Sequence, residues 1–348
     1  MIVTGSAACG TVENLSAGQK IDRAFDKLGK ENSLTVEFGL DVDAATLKAL
    51  DADSAPEDKM PQGIADLFSD GRVSITLDSK KPLKDSGEKD FAGMAIKVSG
   101  KDDDLIEFRV VDETAYVRAN VKGFGELVGY PMPGADELPE EAGAFKDALE
   151  GKWIKIPSQE LREAQNQMAT EPGAKPKPVP TLDAAQQKKY TKLLQDVITR
   201  EVDFETADGK DGAERITATA PFRTLATELV KEFRPLAKEM KWDSNLPSDK
   251  ELKEAPNEKV KAEFLLKDGT LTELNVDLAK LTEDPKVKKF GLKVTFGKGE
   301  KVTAPAGAAP LSMDEVFEGM FGGMGADELS GAGLDEAPSE GFSFEETA

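Results

Sequence analysis

The stretch "LTVEFGLDV", residues 34–42, decides the class of fold. Apolar side chains occupy every second position from Leu34 to Val42, and polar residues or glycine occupy the positions between them. A period of two places all the apolar side chains on one face of a β-strand and the polar ones on the other. A strand with one apolar and one solvated face is typical of an antiparallel sheet, because parallel sheets are usually buried on both faces.

The same alternation recurs along the rest of the chain. It marks further strands at 72–78, 94–98, 106–110, 259–266, 272–278 and 290–296. Asp-Gly pairs at 208–209, 211–212 and 268–269 lie between strand-like runs, and this pair is a strong signal for a hairpin turn. These patterns predict a curved antiparallel sheet of about ten strands.

Three amphipathic helices are predicted beside the sheet, over residues 17–30, 181–198 and 221–240. A proline at position 235 is expected to kink or break the third of them, because proline lacks a backbone N–H. The apolar stripe of the first helix consists of Ile21, Ala24, Phe25 and Leu28. The fold class is therefore α+β, with the helices lying on the apolar face of the sheet.

Composition excludes several functions. With 45 Lys and Arg against 66 Asp and Glu, the formal net charge is −21, which opposes binding to nucleic acid. The chain has no histidine and one cysteine, so Ser-His-Asp and Cys-His catalysis and cysteine-rich zinc sites are excluded. Carboxylate chemistry stays open as a third possibility, but no pair of acids is singled out. We expect no enzyme, no cofactor and no metal.

The chain divides into three parts. Residues 1–18 are interpreted as a truncated signal peptide with a lipobox and tether, and residues 19–304 as a single domain. A proline- and lysine-rich connector at 171–181 interrupts this domain. Residues 305–348 form an acidic, glycine-rich tail, which we expect to be mostly disordered because it has too little apolar surface to offset its chain entropy.

The lone cysteine, Cys9, stands directly after Ala7 and Ala8 and before Gly10. Small residues around a cysteine resemble the lipobox of a bacterial lipoprotein, in which the cysteine sulfur receives a diacylglyceryl group. This resemblance implies an acylated Cys9 that anchors the chain at the outer face of the cell membrane. The alternative is an incidental cysteine near a frayed terminus.

Several stretches together resemble actinobacterial surface lipoproteins of the LppX/LprG type. They are residues 106–121, 151–161, 213–229, 268–278 and 294–308. The resemblance implies the half-barrel fold shared with the LolA and LolB carriers, a strongly curved antiparallel sheet whose concave apolar face is covered by helices. It also implies a cavity that holds the acyl chains of a lipid or glycolipid.

Nine apolar residues are candidates for the wall of such a cavity. The strands contribute Phe38, Ile75, Ile96, Phe108, Phe264 and Phe296, and a covering helix contributes Leu225, Leu229 and Phe233. The sequence thus predicts a membrane-anchored, extracytoplasmic, monomeric lipoprotein that binds, or also carries, a lipid or other apolar ligand. The alternative is a structural or sensory surface lipoprotein with a filled core, whose acidic tail contacts a protein partner. For each candidate residue, ordinary core packing is the competing interpretation.

Overall fold

The computed structural model describes residues 7–51, 59–129, 134, 143–157, 184–239, 246–282 and 287–310. The connector at 171–181 and residues 311–348 of the predicted tail lie outside the described residues. Within the described part the chain forms eight α-helices and twelve β-strands.

The strands form the sheet on which the helices pack. Their bounds are β1 Ser33–Leu40, β2 Arg72–Ser79, β3 Phe91–Ser99, β4 Asp104–Val111, β5 Thr114–Ala119, β6 Ile154–Pro157, β7 Asp203–Asp208, β8 Glu214–Pro221, β9 Lys259–Lys267, β10 Thr270–Asp277, β11 Gly291–Lys298 and β12 Ala309–Pro310. The helices are α1 Ala7–Gly29, α2 Ala44–Leu50, α3 Gln62–Asp70, α4 Val121–Val128, α5 Gly143–Leu149, α6 Ala184–Glu201, α7 Phe222–Glu239 and α8 Asp249–Glu254.

All twelve strands belong to one open, curved sheet, in the order β12-β6-β5-β4-β3-β2-β1-β11-β10-β9-β8-β7. Neighbouring strands are antiparallel, except that β12 runs parallel to β6. The predicted α+β fold with a curved antiparallel sheet is confirmed. The sheet has twelve strands and not about ten, and β12, with two residues, is too short to show any alternation.

The Asp-Gly turn predicted at 268–269 is confirmed between β9 and β10. Asp268 and Gly269 both have positive φ angles, 52° and 68°, which is the backbone of a type I′ hairpin turn. Glycine adopts this conformation without steric cost, and aspartate tolerates it better than most residues. The turn fixes the register in which the apolar residues of β9 face those of β10.

The register places one apolar row across the middle of the sheet. Val36 on β1 is paired with Phe296 on one side and with Ile75 on the other. The row continues across β3, β4, β5 and β6 through Ile96, Phe108, Val117 and Ile154. Because side chains alternate between the faces of a strand, a row of this kind makes one whole face of the sheet apolar.

The largest core cluster lies where α1 packs on that face. Ala17, Ala24 and Leu28 of α1 are buried against strand residues that include Phe204 and Ile216. The helix begins at Ala7, ten residues before the predicted start, so it contains Cys9 and the stretch interpreted as a tether. Two smaller clusters lie under α2 and α3 and under α5.

The proline at position 235 does not end α7, which continues to Glu239. The residues that follow it, Leu236 and Ala237, are buried. Burying a leucine side chain stabilises by about 1.5–3 kcal/mol, which is comparable with the roughly 3 kcal/mol cost of an internal proline. Tertiary packing therefore carries the helix past the residue that was predicted to kink or break it.

After β11 the chain crosses the polar face of the sheet to reach its far edge, and we call residues 299–308 the strap. The backbone N–H of Val302 donates a hydrogen bond of 3.1 Å to Oδ2 of Asp78, a buried carboxylate on β2. Arg109 on β4 donates from Nη1 to the carbonyl of Thr303 at 3.2 Å. Beyond the strap, the N–H of Ala309 donates to the carbonyl of Trp153 at 2.9 Å. These bonds tie the end of the described chain to β2, β4 and β6.

Candidate functional site

The candidate site is a cavity of about 710 Å³ on the apolar face of β7–β10, beneath α1, α6 and the start of α7. Small side chains form part of its floor, beside Phe204, Phe264 and Leu274. Ala218 on β8 is paired with Ala262 on β9, and the next pair along is Ala220 with Val260. An alanine leaves unfilled the space that a leucine or phenylalanine would occupy. Open volume is therefore left between these pairs and the helices above them.

The walls come from the two helices that face each other across the cavity. α1 contributes Ile21 and Phe25, α6 contributes Ile198, and Val202 lines the cavity directly after the end of α6. Phe25 is 44% exposed and Ile198 is 39% exposed, although both are large apolar side chains. Contiguous exposed apolar surface inside a concave site marks a place where an apolar partner can be buried.

The rim of the cavity is polar. Gln19 and Asp22 of α1 and Gln195, Asp196 and Thr199 of α6 line it, and all five are exposed. Among the described residues that line the cavity, the two aspartates are the only ionisable groups. The site therefore combines an apolar interior with amide, hydroxyl and carboxylate groups at its edge.

The structure places the six predicted strand residues on one apolar face of the sheet and the three predicted helix residues on α7. Phe264 and Leu225 line the cavity. Phe296 packs against the core cluster under α1, next to Phe25. The remaining strand residues lie on the same face but outside the cavity, three of them in the apolar row with Phe296 and Phe38 in the adjacent row. They are Phe38, Ile75, Ile96 and Phe108.

The two other helix residues lie farther along α7. Leu229 and Phe233 are half-buried and are not among the residues that line the cavity. Cys9 is in the first turns of α1, and its acylation stays a prediction.

Sequence reasoning missed most of the wall and floor. Ile21 and Phe25 were recognised as the apolar stripe of a helix, but a stripe of this kind is equally typical of a helix over a filled core. The floor had a signal in the alternation of "ITATA", residues 216–220, which repeats alanine where other strands carry larger side chains. The facing alanine, Ala262, is 44 residues away from Ala218 in the chain, and only the strand register brings them together.

A second apolar surface lies at the other half of the sheet. Val73 on β2 and Ile106 on β4 are 38% and 40% exposed, and Phe68 on α3 and Phe124 on α4 are exposed nearby in the fold. α3 contacts both α4 and β1, and α4 contacts β4. The apolar face is thus more open over β2–β4 than under α1.

The polar face of the sheet carries a compact ionic cluster beside the strap. The carboxylate of Glu107 is buried, and it accepts hydrogen bonds from Nε and Nη2 of Arg109 at 2.9 and 2.6 Å and from Nη2 of Arg118 at 2.8 Å. The two guanidinium groups lie 4.7 and 5.1 Å from the ring centroid of Trp153. Because both oxygens of the glutamate are satisfied, this cluster serves to hold the strap and β6 against the sheet.

No family model matches the chain, and no curated protein matches it. The solved structures that match over most of the chain include two mycobacterial lipoproteins. The lipoprotein LppX of Mycobacterium tuberculosis has a TM-score of 0.31 and 11% sequence identity, covering 84% of this chain and 99% of LppX. LprF from Mycobacterium bovis has a TM-score of 0.32 and 11% identity, covering 85% of this chain and 98% of LprF.

LppX belongs to the type of surface lipoprotein that the sequence resembles. At this identity and these TM-scores, no ligand and no residue role is carried over from either protein. In the described part of the chain, no helix has both the length and the apolar character needed to cross a membrane.

Proposed function

We propose that this protein binds a lipid or other apolar ligand in the cavity between α1, α6 and β7–β10. The observation that carries the proposal is the unfilled volume of about 710 Å³ over paired alanines, with large apolar side chains exposed on its walls. Sites for small ligands span about 300–1,000 Å³ and are lined mainly by apolar groups. Each CH₂ of a ligand buried there contributes about 0.8 kcal/mol.

The proposal includes an anchor and a location. Acylation of Cys9 would hold the protein at the outer face of the cell membrane, with residues 19–304 as a single domain and residues 305–348 as a tail that can meet a protein partner. The role is binding and not catalysis, because the lining carries two exposed carboxylates and otherwise apolar or uncharged side chains. Dispersion and burial of area need no reactive group.

Filling the cavity tests the proposal. Ala218→Leu and Ala262→Leu add bulk at the floor, and we expect each to weaken binding of an uncharged fluorescent apolar probe by at least about tenfold. Ala45→Leu, at an exposed position on α2, is the matched control and should bind like the wild type. Thermal unfolding checks that the variants are folded.

Native mass spectrometry of the gently extracted protein gives a second readout. Co-purifying lipid in the wild type, lost in Ala262→Leu, supports the proposal. Absence of probe binding in the folded wild type, together with a mass equal to the chain and its anchor alone, would favour a surface lipoprotein with no ligand.

A further inference from the structure

The edge of the cavity carries negative charge. Asp22 on α1 and Asp196 on α6 line the cavity from opposite helices, and no described lysine or arginine is among the lining residues. The uncharged polar groups at the same edge are the amides of Gln19 and Gln195 and the hydroxyl of Thr199. The edge therefore offers hydrogen-bond acceptors and negative charge, without a cation.

Three cations of the same two helices have partners elsewhere, and two more, Arg23 and Lys192, are not among the residues that line the cavity. Lys20 pairs with Glu214 at the start of β8, and the ammonium of Lys27 donates to the carbonyl of Asp268 at 2.6 Å. Arg200 pairs with Glu201 and with Glu228, at 2.6 and 2.7 Å. These groups are held in positions outside the cavity lining, so they do not neutralise the two aspartates there.

Resting on the proposed function, we infer that the cavity selects apolar molecules whose polar end carries no negative charge. A carboxylate or phosphate at the mouth would stand against two carboxylates of like sign, and like charges a few ångströms apart repel. A hydroxyl, an amide or an ammonium can donate hydrogen bonds to the same two groups. The apolar interior is common to all these ligands, so the charge of the head group decides between them.

Three probes of equal chain length test the inference in the full-length protein. Hexadecanol, hexadecylamine and palmitate each compete against the uncharged fluorescent probe at neutral pH and low salt, below the concentrations at which they form micelles. We expect palmitate to bind roughly tenfold more weakly than hexadecanol, and hexadecylamine to bind at least as well as hexadecanol. The difference should shrink as ionic strength rises, because both aspartates are exposed and screened by salt.

A charge-neutral variant isolates the cause. Asp22→Asn combined with Asp196→Asn should bring the affinity for palmitate to within about twofold of the affinity for hexadecanol. Asp203→Asn combined with Asp208→Asn changes the net charge equally on exposed positions of β7 that do not line the cavity. This control should keep the wild-type preference.

The outcomes separate the two claims. Equal binding of palmitate and hexadecanol by the wild type, unchanged in the cavity variant, overturns the charge selection and leaves the apolar site standing. A preference that both double variants lose equally would assign it to the overall charge of −21 and also overturn the inference. Failure of all three probes to bind overturns the proposed function itself.

Discussion

The ring of Phe25 on α1 meets the ring of Phe296 on β11 edge to face, with centroids 6.2 Å apart and planes at 85°. This contact fixes the helix over the strand at the side of the cavity, because Phe25 also lines it. An edge-to-face pair of aromatic rings contributes about 0.5–1.5 kcal/mol beyond the area it buries. One aromatic pair therefore serves both the packing of α1 and the shape of the candidate site.

Replacing Phe25 should weaken ligand binding at a small cost in stability. We expect Phe25→Ala to lower the free energy of unfolding by about 1 kcal/mol, since the side chain is already half exposed, and to weaken binding of the apolar probe several-fold. Phe68→Ala on α3 removes a similarly exposed ring outside the cavity and serves as the control. Equal binding by both variants would contradict a role for Phe25 in the site.

Cys9 should determine where the protein resides. In a bacterial host that processes lipoproteins, we expect Cys9→Ser to move the protein from the membrane fraction to the soluble fraction and to remove the acyl groups from its intact mass. Two acyl chains hold a protein durably, whereas one holds it only marginally. Both the variant and the wild-type control are expressed behind a complete signal peptide. Unchanged fractionation and mass would assign Cys9 to another role.

The strap should tolerate no side chain at position 93. A Cβ at Gly93 on β3 would lie 2.9 Å from Cβ of Val302 and 3.2 Å from the carbonyl oxygen of Val110. We expect Gly93→Ala to lower the free energy of unfolding by about 1–3 kcal/mol, the range typical of overpacking. Gly297→Ala on β11, where a Cβ meets nothing within 4 Å, should be close to neutral.

A double-mutant cycle measures the contact itself. Adding Val302→Ala to Gly93→Ala should recover part of the loss in chemical denaturation, because it removes Cγ1 of Val302, which lies 3.1 Å from the added Cβ. Strictly additive effects of the two substitutions would show that the strap does not press on β3 at this point.

The carboxylate of Asp26 near the end of α1 should make stability depend on pH. Hydrogen bonds from Lys30 and then from Lys84 lower the pKa of Asp26 below its ordinary value of 3.8. A pKa that is lower in the folded than in the unfolded protein adds stability above the unfolded value, and this gain is lost as the pH falls through the folded value. Asp26→Asn should thus lower the Tm at neutral pH.

The difference in Tm between the wild type and Asp26→Asn should shrink as the pH is lowered below about 4 and vanish once Asp26 is protonated. Lys84→Met removes one of the two donors and should reproduce part of the effect. A constant difference across this pH range would mean that the asparagine acts through packing and not through charge.

The fold was more predictable than the site, and particular residues show why. A strand has a period of two, so the alternation over the nine residues from Leu34 to Val42 is enough to assign each side chain to a face of β1. The cavity depends on how α1 and α6 sit above Ala218 and Ala262, and no local pattern encodes that distance. The position of the strap could not be predicted from the sequence either, because the hydrogen bond between Val302 and Asp78 joins residues 224 positions apart.

Some of the residues predicted to line the cavity do so and others do not, because this too depends on elements that are far apart in the chain. Phe264 and Phe38 carry the same alternating pattern, yet only Phe264 lines the cavity. Alternation reports which way a side chain points, and it is silent on whether a helix, a neighbouring side chain or open space lies opposite. That choice is made by elements far apart in the chain.

Cys9 and Phe25 belong to one unbroken helix, and this has a mechanical consequence. With a rise of 1.5 Å per residue, their separation of sixteen positions along the helix spans about 24 Å. An acylated thiol would then be joined to the cavity by a rigid helix and not by a flexible linker. The opening of the cavity would lie at a fixed distance from the bilayer. A tilt of α1 would also move Phe25, which lines the cavity.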